Sequence, residues 1–173
     1  MLLVDVGLLQ SLSYVAAAIG VCTAAAYYVM ILRFQNKTRQ AQLFMQIHAQ
    51  WGDMAFLKGF YDILNRWHWK DWNDFWTKYG PVSNEEAFLT MTKVIWYFEG
   101  VGQLLRDGLI DINLVEAMYS DRVIQLWEKG YPIAMRLREH YQNPDYYGNF
   151  EYLYKELKKR QVKPSPPATP DRS

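Results

Sequence analysis

Residues 6–32 read VGLLQSLSYVAAAIGVCTAAAYYVMIL, and these 27 positions contain no Asp, Glu, Lys or Arg. About 20 apolar residues in a helix cross a bilayer, so the run predicts a membrane-spanning anchor. Its polar members are Gln10, Ser11, Ser13 and Thr23. Ser and Thr hydroxyls can return to the helix backbone and cost little in lipid. Tyr14 stands toward one end and Tyr27 and Tyr28 toward the other, where amphipathic rings favour the headgroup level. Arg33, Lys37 and Arg39 follow closely, against Asp5 and the terminal amine on the other side. The positive-inside rule then expects a cell-membrane protein with its N-terminus outside and its C-terminal part cytoplasmic.

A cleaved signal peptide fits less well. No Lys or Arg precedes the run, and apolar sequence continues past Ala24-Ala25-Ala26 to Leu32. A lipoprotein signal at Cys22 would want a small residue where Val21 stands. Ala16, Gly20 and Ala24 recur every fourth residue, which puts a flat strip on one helix face where another helix can approach.

The 173 residues leave room for one domain after the anchor. Net charge is +1 with no long basic block, which argues against a nucleic-acid partner. The single Cys22 lies in the anchor, so neither a disulfide framework nor a thiolate metal cluster is available. Aromatics make up 16% of the chain, including 7 Trp and 13 Tyr, and that surface must be buried in a core or against a partner.

The soluble part reads as all-α. Residues 33–39, RFQNKTR, contain no Pro or Gly, so the anchor helix is free to run into a segment from Gln40 to Trp51. Leu43, Phe44, Ile47 and Trp51 are at helical spacing there, and Gly52-Asp53 breaks the pattern. A second helix is expected over Met54–Trp67. The stretch from Trp67 to Gly80, WHWKDWNDFWTKYG, puts Trp69, Trp72 and Trp76 on one face of a third, ended by Gly80-Pro81. Ser83 with Glu86 reads as a capping box. The helix it opens carries Phe88, Met91, Ile95, Phe98, Gly102 and Leu105 in steps of three and four, and Gly108 closes it. Gly100 and Gly102 are poor helix formers and suggest close approach of another helix. Asp111 caps a short helix, Ile112–Tyr119, followed by a longer one, Asp121–Tyr141, kinked at Pro132. Asn143-Pro144-Asp145 is a turn, and a last helix runs from about Tyr146 to Gln161. The expected organisation is 1–33 anchor, 34–161 cytosolic bundle of five to seven helices, and 162–173 a disordered Pro-rich tail.

The segment Trp96–Val115, WYFEGVGQLLRDGLIDINLV, together with Trp127-Glu128, Asn149-Phe150-Glu151-Tyr152-Leu153 and Gln42-Leu43-Phe44 after an anchor, resembles the DUF4760 family, domain of unknown function 4760. The resemblance covers about Gln40 to Leu157. It implies a small prokaryotic protein with one N-terminal membrane helix and a helical cytosolic domain. The family has no established activity, so no catalytic residues carry over. The Trp-rich stretch lies outside the motifs that carry the resemblance.

Enzymatic signatures are missing from the sequence. His48, His68 and His140 lack the three- or four-residue partners of a helical metal site. There is no phosphate-cradling glycine loop, nucleophile elbow or cofactor motif. Glu99, beside the apolar stripe and two glycines, is a candidate buried carboxylate that pairs with an Arg or with backbone donors of a neighbouring helix. Asp71 and Asp74, three positions apart, have the spacing to hold a cation, but Lys70 and Lys78 nearby favour a solvated helix face. Trp69, Trp72 and Trp76 form core, a partner surface or a face that lies on the membrane surface, the last disfavoured by the balanced local charge. The expected function is non-enzymatic, as a membrane-anchored interaction module or an accessory subunit of a membrane complex. The bilayer and either a protein partner or a second copy through Ala16, Gly20 and Ala24 would be its contacts. The rival is a ligand-binding sensor or small enzyme with a pocket near Glu99.

Overall fold

The computed structural model describes residues 6–161; residues 1–5 and 162–173, including the Pro-rich stretch, lie outside the described residues. The fold is all-α. Its helices are α1 (Val6–Trp51), α2 (Met54–Tyr61), α3 (Trp72–Tyr79), α4 (Glu85–Arg106), α5 (Ile112–His140) and α6 (Gly148–Gln161), with a π-helical turn at Asp62–Arg66 after α2. No strand occurs among the described residues. The chain divides into two compact units between Gln42 and Leu43.

The first unit is the larger part of α1. The hydroxyls of Ser11, Ser13 and Thr23 donate to the carbonyls of Gly7, Leu9 and Ile19 at 2.9, 2.9 and 2.8 Å, which satisfies them without solvent. An 18-residue window of this helix has a mean hydropathy of 2.0 and none of it is buried, so α1 is long and apolar enough to span a bilayer. The helix continues through the polar residues 33–39 without a break.

Among the described residues, the second unit gathers the last turns of α1 and the helices through Gln161. Asp53 stops the first helix and caps the next, its carboxylate accepting from the backbone N–H of Phe56 at 2.7 Å. Trp51 stands among the rings of Phe56, Phe60, Tyr97, Phe98 and Tyr119 at centroid distances of 5.1–6.1 Å. The stripe of α4 is central: Met91, Ile95, Phe98 and Gly102 are buried, and Phe98 stacks on Phe150 of α6 at 5.3 Å. Gly108 adopts φ 69°, and the N–H groups of Gly108 and Leu109 donate to Leu105 and Leu104, which closes α4 as a Schellman motif. Asp111 caps α5 by accepting from Asn113 N at 2.8 Å.

Four expectations are corrected. The helix from Met54 keeps α-geometry only to Tyr61, then widens into the π-turn and stops with Trp67 extended. The helix expected from Trp67 starts at Trp72, because Asp71, not an earlier residue, supplies the cap by accepting from Asp74 N at 2.9 Å. Asn84, not Ser83, caps α4, accepting from Ala87 N at 3.1 Å, while the Ser83 hydroxyl donates to the Trp76 carbonyl at 2.8 Å. The two helices expected over 112–141 are one, because Val115, Tyr119, Val123 and Leu126 keep one buried stripe through Ser120 and Asp121, neither of which forces a break. Pro132 lies inside that helix.

Candidate functional site

Residues 67–79 fold back on themselves. Trp67 stacks on Tyr79 at 4.3 Å, and Trp69 meets the buried Phe75 edge-on at 5.3 Å. The Asp74 carboxylate accepts from the Lys70 backbone and from Lys78 Nζ, both at 2.9 Å. The Lys78 hydrogen bond, with that backbone donor, holds the Asp74 carboxyl below its ordinary range. The sequence does not announce the clamp on this loop, Lys129 of α5. Its Nζ donates to the carbonyls of Leu64 and Trp67 at 2.7 and 2.8 Å, where the π-turn has left carbonyls without helical donors. It also lies 5.2 Å over the Trp69 ring. Burial pushes the Lys129 ammonium below its ordinary pKa. One signal was available, since Lys129 falls between Leu126 and Ile133 on the buried stripe of α5.

Trp69 and Trp72, both half-buried, form one wall of an open cleft of about 710 Å³, with Pro132, Ile133 and Arg136 of α5 on the other side and Asn73 at its lip. Trp69 reaches it from the extended loop, not from a helix face. Trp76 does not line this cleft; it packs against Trp72 at 4.7 Å, His140 at 5.1 Å and Phe88 at 6.3 Å. Two of the three tryptophans therefore line the cleft, and the third packs against one of them.

Glu99 is half-buried and fully engaged. Its two oxygens accept from the backbone N–H groups of Asn149 and Phe150 at 3.1 and 2.8 Å. A carboxylate at a helix N-terminus meets unpaired donors and the positive end of the macrodipole, so Glu99 fixes the start of α6 on α4. Gly102, one turn along, makes the approach possible, since a Cβ there would lie 2.1 Å from the Asn149 carbonyl oxygen. A small apolar cavity of about 40 Å³ lies between the helices, lined by residues such as Trp67, Met91, Leu126 and Trp127.

The histidines do different things. His48 Nδ1 lies 2.7 Å from the Tyr119 hydroxyl, to which buried Tyr97 donates at 3.1 Å. Burial raises both phenol pKa values. His68 Nδ1 contacts the Arg66 carbonyl at 2.7 Å, and His140 packs on Trp72 and Trp76. Among the described residues no three His, Cys, Asp or Glu gather closely enough to hold a metal ion. Ala16, Gly20 and Ala24 are exposed on α1, and a Cβ at Gly20 would meet nothing within 4 Å.

Comparison with curated proteins and with solved structures found no match. The model of one family, described as "Domain of unknown function (DUF4760)", matches residues 14–157, a span that takes in most of the apolar run and the whole helical unit through Leu157. The chain therefore belongs to the DUF4760 family.

Proposed function

We propose that the protein is a membrane-anchored, non-enzymatic interaction module, an accessory subunit whose Trp69–Trp72 cleft receives a protein partner. In this reading α1 crosses the cell membrane with its N-terminus outside, and the helical unit is cytoplasmic. The cations Arg33, Lys37 and Arg39 immediately after the apolar run support that orientation. The observation that carries the reading is the cleft. Two half-buried tryptophans line an open site, where a fully packed core would have covered them. Trp is enriched among the residues that dominate interface energies, and a rim Arg such as Arg136 is of the same kind.

The half-buried carboxylate supports this class over a small enzyme, since both Glu99 oxygens are spent on backbone donors. The test is capture from native membranes in mild detergent. The wild-type protein is expected to bring a second protein at fixed ratio. Trp72→Ala, and Asn73→Arg at the lip, are each expected to lower that ratio at least tenfold while circular dichroism stays unchanged. Retention of the partner by both variants would remove the cleft from the reading, and a chain that is always alone would remove the reading itself.

A further inference from the structure

We propose that a second cleft, between α2 with its π-turn and α5, binds a phosphate monoester carried on an aromatic or apolar body. It shares no lining residue with the Trp69–Trp72 cleft. Its volume of about 580 Å³ falls within the range of small-molecule sites, about 300–1,000 Å³. Lys58, Arg66 and Arg122 line it, and Asp62 is its one carboxylate. Three cations against one carboxylate leave two positive charges unbalanced on the walls. A phosphate monoester brings about −1.5 to −2 charges at pH 7 and three acceptor oxygens, and so matches that excess. A carboxylate or a sulfate ester, with one charge, does not.

Aromatic rings seat both guanidiniums. Arg122 lies 5.4 Å over Trp51, and Arg66 lies 5.7 Å over Tyr61. Each spends one nitrogen on the protein: Arg122 Nη1 donates to the Met118 carbonyl at 3.1 Å, and Arg66 Nη1 pairs with Asp62 at 3.1 Å. A guanidinium carries five N–H donors in a fixed fork, so both keep donors for an anion. Arg66 is exposed, and exposed pairs are weak, so its bond to Asp62 can also yield to phosphate. The Lys58 ammonium is exposed and has no hydrogen-bond or ion-pair partner among the described residues. Beside these charges stand half-buried Trp51 and Leu57 and exposed Met54, apolar surface that a ring or acyl chain would cover. The π-turn itself supplies Asp62 and Arg66, and such turns are rare and frequently stand at functional sites. Two sources offer this chemistry, a soluble ester such as a nucleotide and a lipid phosphate headgroup.

The test uses the full chain in phosphatidylcholine bilayer discs with its 7 Trp indoles labelled by nitrogen-15, since the Trp51 resonance senses the guanidinium above it. The probe is phenyl phosphate, titrated beside phenyl sulfate, which has the same shape and one charge. Phenyl phosphate is expected to shift the Trp51 indole saturably, and phenyl sulfate to bind at least about tenfold more weakly. Arg66→Gln combined with Arg122→Gln changes two exposed side chains and should weaken phenyl phosphate at least about tenfold with circular dichroism unchanged. Lys58→Gln, which breaks no contact, should weaken it too, while Lys159→Gln, on the exposed face of α6, should not. A second set of discs carries phosphatidic acid. A Trp51 resonance already shifted there, and no longer moved by phenyl phosphate, assigns the site to lipid. An unshifted resonance that phenyl phosphate still moves assigns it to a soluble ester. Absence of a saturable Trp51 shift in the phosphatidylcholine discs would overturn the proposal. So would equal binding of phenyl sulfate, or binding that survives the double Arg variant.

Discussion

Gly102→Ala and Gly100→Ala, two positions apart on α4, are predicted to shift stability in opposite directions. An ideal Cβ at Gly102 would sit 2.1 Å from the Asn149 carbonyl oxygen and 2.6 Å from its carbon, both backbone atoms that cannot rotate away. Heavy atoms settle at about 3.5–4.0 Å, so the start of α6 must retreat by more than about 1 Å. That retreat stretches the bonds from Asn149 and Phe150 to Glu99, now 3.1 and 2.8 Å, past a useful length. Overpacking costs about 1–3 kcal/mol, and a hydrogen bond to a charged group contributes about 1.5–3 kcal/mol. Against this, Ala in place of Gly returns up to about 1 kcal/mol of helix propensity. The balance is a loss of about 2–4 kcal/mol, or a fall in Tm of about 8–16 °C for a domain of this size. At Gly100 a Cβ meets nothing within 4 Å on an exposed face, so only the propensity term remains. Gly100→Ala should raise stability by about 0.5–1 kcal/mol. Urea and thermal unfolding of both variants in the same detergent decide the matter. A neutral or stabilising Gly102→Ala would refute the account of how α6 is held on α4.

Three further expectations follow from the same geometry. Glu99→Gln keeps shape but replaces one accepting oxygen with an amide NH2 that cannot accept, so one backbone N–H loses its partner and the other bond loses its charge; this should cost about 1–3 kcal/mol in urea unfolding, and an unchanged midpoint would show that the pairing is idle. Lys129→Met strips the donors from the Leu64 and Trp67 carbonyls, and should cost about 1–3 kcal/mol and shift the Trp69 indole resonance; a shift elsewhere only would argue against the clamp. At Glu151 burial raises the carboxyl pKa, but hydrogen bonds from Lys155 and Arg138 outweigh it and leave the value lowered. Asp74 and Glu128 are lowered too, chiefly by Lys78 and Lys158. Carboxyls with lowered folded values contribute fully above their ordinary range, about pH 4.5, and lose that contribution as pH falls through the folded values. The urea midpoint should hold from about pH 7 to about pH 5 and decline below; a midpoint that rises in acid would contradict the pairing.

The reading from sequence reached the elements whose signals are local. The apolar run, the stripe of α4, Gly108 as its left-handed stop, the break at Gly52-Asp53 and Asp111 as a cap all depend on neighbours within a turn or two. It slipped where two local signals competed. Ser83 and Asn84 are both good caps, and tertiary contact decides, because the Ser83 hydroxyl is taken by the Trp76 carbonyl. The tryptophan spacing matches a helix from Trp69, yet Asp71 caps later and the Trp67–Tyr79 stack pulls the preceding residues into a loop. Asp121 resembles a cap, but the buried stripe of α5 runs straight through it.

The candidate site was legible only as a list of residues. Its cleft needs α5 opposite the tryptophan loop, with Pro132 about sixty positions beyond Trp72. Glu99 stood out beside its two glycines, while its partners, the backbone donors of Asn149 and Phe150, are fixed by long-range packing that no local period encodes.

The central claim is that the tryptophan cleft binds a protein at the membrane. Native mass determination of the tagged chain, extracted from its own membranes in mild detergent, tests it most directly, with Trp72→Ala alongside. The account predicts a complex of fixed composition for the wild type and its loss in the variant. A bare monomer in both preparations would contradict it.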